Sequence, residues 1–175
     1  MNANPQREEL LPLRDIDHVR GAAGARITLV EYGDYECPGC GDAYWIVRKL
    51  EEELGAEMRF VFRHYAFARL HPNAELAAQA AEAAGAQGKF WEMHDTLFEH
   101  PNALGKKDVA GYAESLSLDL KRFSAELKSE LYLDRVRADF RTGVQNGVYG
   151  TPGLFIDGVR HDGSYDYETL LAAMR

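Results

Sequence analysis

Apolar residues follow two different spacings along the first third of the chain. Residues 26–32 and 58–63 are rich in β-branched and other apolar side chains, which is typical of buried strands. Between them, apolar residues repeat about every 3.6 positions from Ala43 to Leu54, and this period predicts a helix that ends at Gly55. A strand, a helix and a second strand in this order predict a parallel, right-handed βαβ unit.

The pattern changes between residues 72 and 147, where no stretch has the composition of a strand. Helical patterns follow one another there, over residues 74–86, 89–98, 107–116, 119–129 and 131–146. We therefore predict an all-helical insertion.

The strand pattern returns after this insertion. Residues 154–156 and 159–161 are short runs separated by Asp157 and Gly158, a pair that strongly favours a β-hairpin. Residues 166–174 then carry the pattern of a closing helix. The order of elements is thus βαβ, a helical block, and ββα.

This order predicts an α/β fold with a discontinuous domain. We expect residues 13–71 and 148–175 to form its two halves around a central sheet, with residues 72–147 inserted between them. Residues 1–12 are polar and contain two prolines, so we expect them to form a flexible N-terminal arm.

Length and charge narrow the possible partners. The chain has 175 residues, a length that suits one domain. Its formal net charge is −8 and it has no basic stripe, which argues against a nucleic-acid partner. No apolar run is long enough to span a membrane, and residues 1–24 do not read as a secretory leader. We therefore expect a cytoplasmic protein, in which a close cysteine pair is more often catalytic or redox-sensing than structural.

The chain contains two cysteines, Cys37 and Cys40, at the start of the first predicted helix. Residues three apart on a helix share a face, so the two thiols can reach each other. Pro38 suits the first helical position, which places Cys37 at the N-cap, where free N–H groups and the helix dipole stabilise a thiolate. Cys40 lies on the apolar stripe of the helix. We expect an exposed, reactive Cys37 and a buried Cys40.

Other uses of this pair remain open from the residues alone. Half of a zinc site would need two further ligands, and neither a second CxxC nor an HxxxH spacing is present. Two such motifs could also share a metal or an iron–sulfur cluster across a dimer. A redox-sensing or protein-binding module would oxidise the pair to change its contacts with a partner, without turnover.

Thr151 and Pro152 come directly before the predicted hairpin. An X-Pro bond is the one type in which the cis form is accessible, and a cis bond here would turn the polar backbone atoms of Thr151 toward an extended substrate. An ordinary trans turn proline is the alternative.

Taken together, these features resemble the thioredoxin fold, and more closely its DsbA-like branch, which carries a helical block between its two halves. The resemblance covers about residues 15–175. It rests on the segments LVEYGDYECP (29–38), RHY (63–65) with HPNA (71–74), GKFW (88–91) and GTP (150–152).

The resemblance implies a role for each matching residue. Cys37 corresponds to the attacking cysteine and Cys40 to the resolving one, while Pro152 corresponds to a cis-proline that faces the disulfide. Glu31 corresponds to a buried acid that accepts the proton of Cys40. From the residues alone, a solvated strand residue is the alternative for Glu31.

The same resemblance implies a thioredoxin-like fold, with a mixed sheet flanked by helices, and a protein disulfide oxidoreductase. Pro38, Gly39, Thr151 and Pro152 would bind the substrate, which would be a protein or peptide thiol or disulfide. An unidentified redox partner would recycle the pair. We expect no cofactor and no metal.

The chain also departs from the strongly oxidising members of that branch. Gly39 stands where they carry a histidine, and Asp34 and Glu36 add negative charge near Cys37. Both differences should disfavour the thiolate. We therefore predict a Cys37 pKa of about 6–7 and a reduction potential of intermediate character.

Overall fold

The computed structural model describes residues 10–175 and shows a five-stranded mixed sheet in the order β1-β3-β2-β4-β5. Strand β2 is the centre of the sheet, parallel to β3 and antiparallel to β4. The strands are β1 (His18–Gly21), β2 (Ile27–Gly33), β3 (Met58–His64), β4 (Gly153–Ile156) and β5 (Val159–His161).

Within residues 10–175, seven α-helices accompany this sheet. They are α1 (Pro38–Leu54), α2 (Ala74–Gly85), α3 (Phe90–Glu99), α4 (Lys106–Ser115), α5 (Leu120–Lys128), α6 (Leu133–Gln145) and α7 (Tyr167–Met174). Helices α2 to α6 lie between β3 and β4, so the predicted fold class, with its helical insertion, is confirmed. The exact division into domains stays a prediction. None of the described helices is long and apolar enough to cross a membrane.

The register of the central strands brings two distant segments together. Glu31 pairs with Leu154 and Tyr32 pairs with Gly153, so the end of β2 lies beside the start of β4. The segment that leads into α1 leaves this end of β2, and the segment that contains Pro152 arrives there. The sheet therefore explains how residues more than one hundred positions apart form one site.

The hairpin prediction is confirmed, and its turn has the expected backbone. Asp157 and Gly158 both have positive φ, 49° and 84°, as a two-residue hairpin turn requires. The Asp157 side chain also accepts a hydrogen bond from the Thr28 N–H at 2.8 Å, which ties the turn to β2.

Two expectations need correction. Strand β1 was not predicted, because it has four residues that alternate between half-buried and exposed, too few for a clear pattern at a sheet edge. The end of the predicted flexible arm is docked: Leu11 is 6% exposed, and its N–H donates to the Gly158 carbonyl at 2.8 Å. Burial of the apolar Leu11 side chain is favourable in free energy, although most of the residues around it in the sequence are polar. Residues 1–9 of the arm lie outside the described residues.

Candidate active site

The first turn of α1 holds both thiols. Cys37 is the N-cap in an extended conformation (φ −79°, ψ 122°), and Pro38 occupies the first turn. Cys37 is half-buried, whereas Cys40 is completely buried, and both are free thiols. The predicted helix start and the predicted difference in exposure are both present.

Cys37 is surrounded by hydrogen-bond donors. Its pKa is lowered from 9.0 to about 5, chiefly by hydrogen bonding from the Cys40 thiol, with further contributions from the Thr151 side chain and from backbone N–H groups. Partial burial opposes this effect. The value is lower than the predicted range of about 6–7, and the prediction was wrong because of where the nearby carboxylates point.

Asp34 is 1% exposed and is occupied by donors other than the thiols. Its carboxylate accepts the N–H of Glu36 at 2.9 Å and that of Phe67 at 2.9 Å, and it contacts His71 Nδ1 at 2.8 Å. The Glu36 carboxylate is likewise occupied, because it accepts the backbone N–H of Asn73 at 2.7 Å and its side-chain amide at 3.1 Å. Neither charge is left free to oppose the thiolate.

Cys40 experiences the opposite environment. Burial raises its pKa well above 9.0, and its hydrogen bond to Cys37 and the charges of Glu31 and Cys37 raise it further. The Asp34 N–H points at the Cys40 sulfur at 3.4 Å and opposes the rise. Cys40 is therefore a thiol at neutral pH and needs a base before it can react.

Glu31 lies on the central strand and is 2% exposed, so it is not a solvated strand residue. Burial raises its pKa from 4.5 to about 8, and the charge of Cys37 adds to the rise, while hydrogen bonding with Cys40 opposes it. Its Oε1 atom has no hydrogen-bond partner among residues 10–175. The carboxyl group thus lies close to both thiols and has an unused acceptor.

The opposite wall of the site is formed by the segment before β4. The Thr151–Pro152 peptide bond is cis. The Cys37 sulfur lies 3.7 Å from the Thr151 carbonyl oxygen, to which it donates when it is protonated. A Cβ atom at Gly39 would lie 3.5 Å from Pro152 Cδ and 3.3 Å from the Tyr165 hydroxyl. Gly39, Thr151 and Pro152 therefore meet around Cys37, whereas Pro38 is exposed and faces outward.

Sequence reasoning missed two neighbours of the site, His71 and Tyr165. Burial tends to lower the pKa of His71, but its hydrogen bond to Asp34 and the charges of Asp34, Cys37 and Glu36 raise it above 6.5 overall. His71 lies within a segment that carries the family resemblance, which was a signal that it matters. No sequence pattern connected Tyr165 with Gly39.

A metal centre within the described part of the chain is one use that the sequence left open for the cysteine pair. No group of three or more His, Cys, Asp or Glu side chains there is arranged to hold a metal ion. The two thiols and Glu31 are arranged for proton transfer and thiol exchange. One thiol has a lowered pKa, the other has a raised pKa, and both lie close to the same carboxyl group.

Known proteins are similar to this chain in sequence and in architecture. Residues 14–175 match a family described as thioredoxin. A solved thioredoxin-like oxidoreductase from Silicibacter pomeroyi is 25% identical, with a TM-score of 0.79, over 90% of this chain and 89% of that one. The structure of α-DsbA1 from Wolbachia pipientis has the same TM-score of 0.79 at 19% identity, over 94% and 92% of the two chains, which shows the shared fold.

Longer relatives also contain a similar stretch. A protein of Salinispora arenicola named Na(+)/H(+) antiporter NhaA 1 is 48% identical over 160 residues, which cover 91% of this chain and 24% of that protein. The chain thus spans about a quarter of the length of this relative. The antiporter name describes the whole of that longer protein.

Proposed function

This chain belongs to the thioredoxin family, and from that premise we propose that it exchanges thiols and disulfides with protein substrates through Cys37 and Cys40. One arrangement carries the proposal: Cys37 lies half-buried at the N-cap of α1 and Cys40 lies fully buried one turn later, which lowers the pKa of Cys37 to about 5 and raises that of Cys40 well above 9.0. One cysteine is thus ready to attack at neutral pH, and the other is held in reserve.

The first step is attack by Cys37. Its thiolate attacks one sulfur of a substrate disulfide, a bond forms between them, and the other substrate sulfur leaves as a thiolate. The partly exposed position of Cys37 at the tip of α1 gives a protein substrate access to it. The product is a mixed disulfide between Cys37 and the substrate.

The second step is resolution by Cys40, with Glu31 as the base. Glu31 takes the proton of the Cys40 thiol, the Cys40 sulfur bonds to that of Cys37, and the substrate leaves as a thiolate. The pKa of Glu31 is raised partly by the charge of Cys37. In the mixed disulfide that charge is gone, so the pKa of Glu31 falls and the base becomes available at the step that needs it.

The reverse sequence oxidises a substrate dithiol, so the reduction potential decides the direction. In either case, a second redox partner must return the Cys37–Cys40 pair to its starting state. We assign Thr151, Pro152 and Gly39 to substrate binding, because the backbone of Thr151 and the ring of Pro152 border the reactive sulfur. We also assign Pro38 to substrate binding, from the outer side of the same helical turn.

Catalytic reduction of insulin disulfides by dithiothreitol tests this function. The protein should accelerate insulin reduction, and C37S should abolish the acceleration. The C40S variant should accumulate mixed disulfides. A wild-type protein that oxidises and reduces its own pair but does not accelerate insulin reduction would refute the enzyme and favour a redox sensor without turnover.

A further inference from the structure

A groove of about 450 Å³ borders the motif on the side away from Pro152. Helix α1 forms one wall with Pro38, Gly41 and Trp45, and the end of α3 forms the other. Successive helical residues are rotated by about 100°, so Pro38, Asp42 and Trp45 share one strip of α1, roughly a quarter-turn from Gly39. The groove is therefore continuous with the surface around Cys37 but separate from the Thr151–Pro152 wall.

Trp45 is the largest exposed side chain of this groove. It is 59% exposed, and its ring packs edge-on against Tyr44 at 5.0 Å between centroids. Helix α1 buries its apolar stripe elsewhere, at residues such as Val47 and Leu50. Apart from its contact with Tyr44, Trp45 lies outside that buried stripe, and an exposed tryptophan beside a reactive centre is typical of a contact residue for a partner.

The rim of the groove is acidic. Glu36, Asp42 and Glu99 line it, and no Lys or Arg of the described chain does. Asp42 is exposed and makes no ion pair within residues 10–175, whereas Glu36 is engaged by Asn73 and Glu99 by the Tyr44 hydroxyl. Arg48, the cation nearest to Trp45 in the sequence, is paired with Glu51 at 3.4 Å.

A second groove on the surface has the opposite character. It lies around Phe67 and Phe140, and its charged rim is formed by Arg69, Arg137 and Arg141 with only Glu75 as a carboxylate. The acidic rim at Trp45 is therefore a local feature of one side of the site, and not only a reflection of the net charge of the chain.

We propose that this groove, which we call the Trp45 groove, holds a basic segment of the protein whose disulfide Cys37 attacks. A Lys or Arg side chain of that segment lies over the Trp45 ring, which attracts cations, and next to Asp42 and Glu99. The inference rests on the proposed thiol–disulfide exchange and adds a substrate class to it: segments with a basic residue near the cysteine.

Attack by Cys37 on three matched peptides tests the proposal. Each peptide carries one cysteine as a mixed disulfide with 2-nitro-5-thiobenzoate, flanked by lysine, serine or glutamate, and release of the coloured thiol by C40S protein reports a single step. At low ionic strength we expect the lysine peptide to react about fivefold faster than the serine peptide. W45A and D42N/E99Q, each in the C40S background, should bring this ratio close to one.

Matched variants separate the groove from the overall charge. E52Q/E114Q removes two exposed carboxylates that lie outside the groove and should keep the fivefold preference, and W45F should keep part of it because the aromatic face remains. Circular dichroism establishes that each variant is folded. An equal lysine preference in D42N/E99Q and E52Q/E114Q would overturn the proposal.

The two proposals also fail in different ways. If no peptide releases the coloured thiol, the proposed exchange at Cys37 is wrong. If all three peptides react at the same rate, the exchange stands and the Trp45 groove does not select basic segments.

Discussion

The tip of α1 and the floor beneath it carry the same functional group in opposite environments. At the tip, Cys37 is half-buried and is reached by the thiol of Cys40, the side chain of Thr151 and backbone N–H groups. Beneath the tip, Cys40 is fully buried, in hydrogen-bond contact with Cys37 and close to the carboxyl of Glu31. One turn of helix separates a thiol with a pKa of about 5 from one with a pKa well above 9.0.

This difference shows that the spacing of the two cysteines in the sequence brings the thiols together. Burial and the direction of the hydrogen-bond donors then set the pKa of each thiol. The two cysteines have the same pKa in an unfolded chain. The helix start places one at a row of free N–H groups and the other against the sheet. Changes that exchange these surroundings should therefore remove the difference between the thiols.

The largest expected effect is the difference in alkylation. At pH 6, Cys37 with a pKa of about 5 is mostly thiolate, whereas Cys40 with a pKa above 9.0 is a thiolate in at most about one molecule in a thousand. Iodoacetamide should therefore modify Cys37 in reduced protein much faster than Cys40. The thiolate fractions favour Cys37 by several hundredfold, the lower nucleophilicity of a low-pKa thiolate reduces this factor, and the burial of Cys40 increases it again. Peptide mapping by mass spectrometry over pH 4–8 gives both rates.

The same experiment fixes the sign of the pH dependence. The pKa of Cys37 is lowered, so its labelling should rise as the pH passes about 5 and level off above pH 6. Comparable labelling of both cysteines at pH 6, or faster labelling of Cys40, would contradict the assigned roles.

The second effect concerns Glu31, which lies beneath the tip of α1. E31Q removes the base but keeps the shape of the side chain, so resolution by Cys40 should slow by about tenfold to a hundredfold. Attack by Cys37 needs no base and should change far less. Stopped-flow measurement of each step separates them, with E52Q on the exposed face of α1 as the matched control. If E31Q resolves mixed disulfides as fast as the wild type, Glu31 has no part in proton transfer.

Much of this arrangement could be predicted from the sequence, for physical reasons that also mark where prediction failed. The position of Cys37 at a helix start follows from local chemistry, since Pro38 and the apolar period act over a few residues. Glu31 could be placed only by resemblance, because strand composition does not say which carboxyl is buried. The wrong pKa range of Cys37 has the same origin: two of the partners of Asp34, Phe67 and His71, come from a segment more than thirty residues away.

The third effect concerns Gly39, which separates the tip from the Pro152 wall. A histidine there would place an N–H donor near the Cys37 sulfur, favour the thiolate and make the pair more oxidising. We expect G39H to raise the reduction potential by about 30 mV, a tenfold change in the equilibrium with glutathione. G39A is the control for size, since a Cβ would lie 3.3 Å from the Tyr165 hydroxyl and only slight movement is needed. An equal rise in G39A would show that packing, and not the donor, sets the potential.

The smallest effect concerns His71, which connects the tip to the segment after β3. His71 contacts Asp34 at 2.8 Å, and its pKa is raised above 6.5, so it is positively charged over the whole pH range in which Cys37 titrates. H71N keeps an N–H donor for Asp34 but removes the positive charge. The carboxylate of Asp34 is then less compensated, and the pKa of Cys37 should rise by about half a pH unit.

Thiolate absorbance as a function of pH measures this shift, with C40S as the background so that one thiol titrates. H100N is the control, because His100 is exposed and contacts the Thr96 carbonyl instead of the site. A rise in H71N but not in H100N assigns part of the low pKa of Cys37 to a charge supplied from outside the motif. An unchanged or lower pKa in H71N would leave burial and the groups that contact the two thiols directly as the whole cause of the difference in their pKa values.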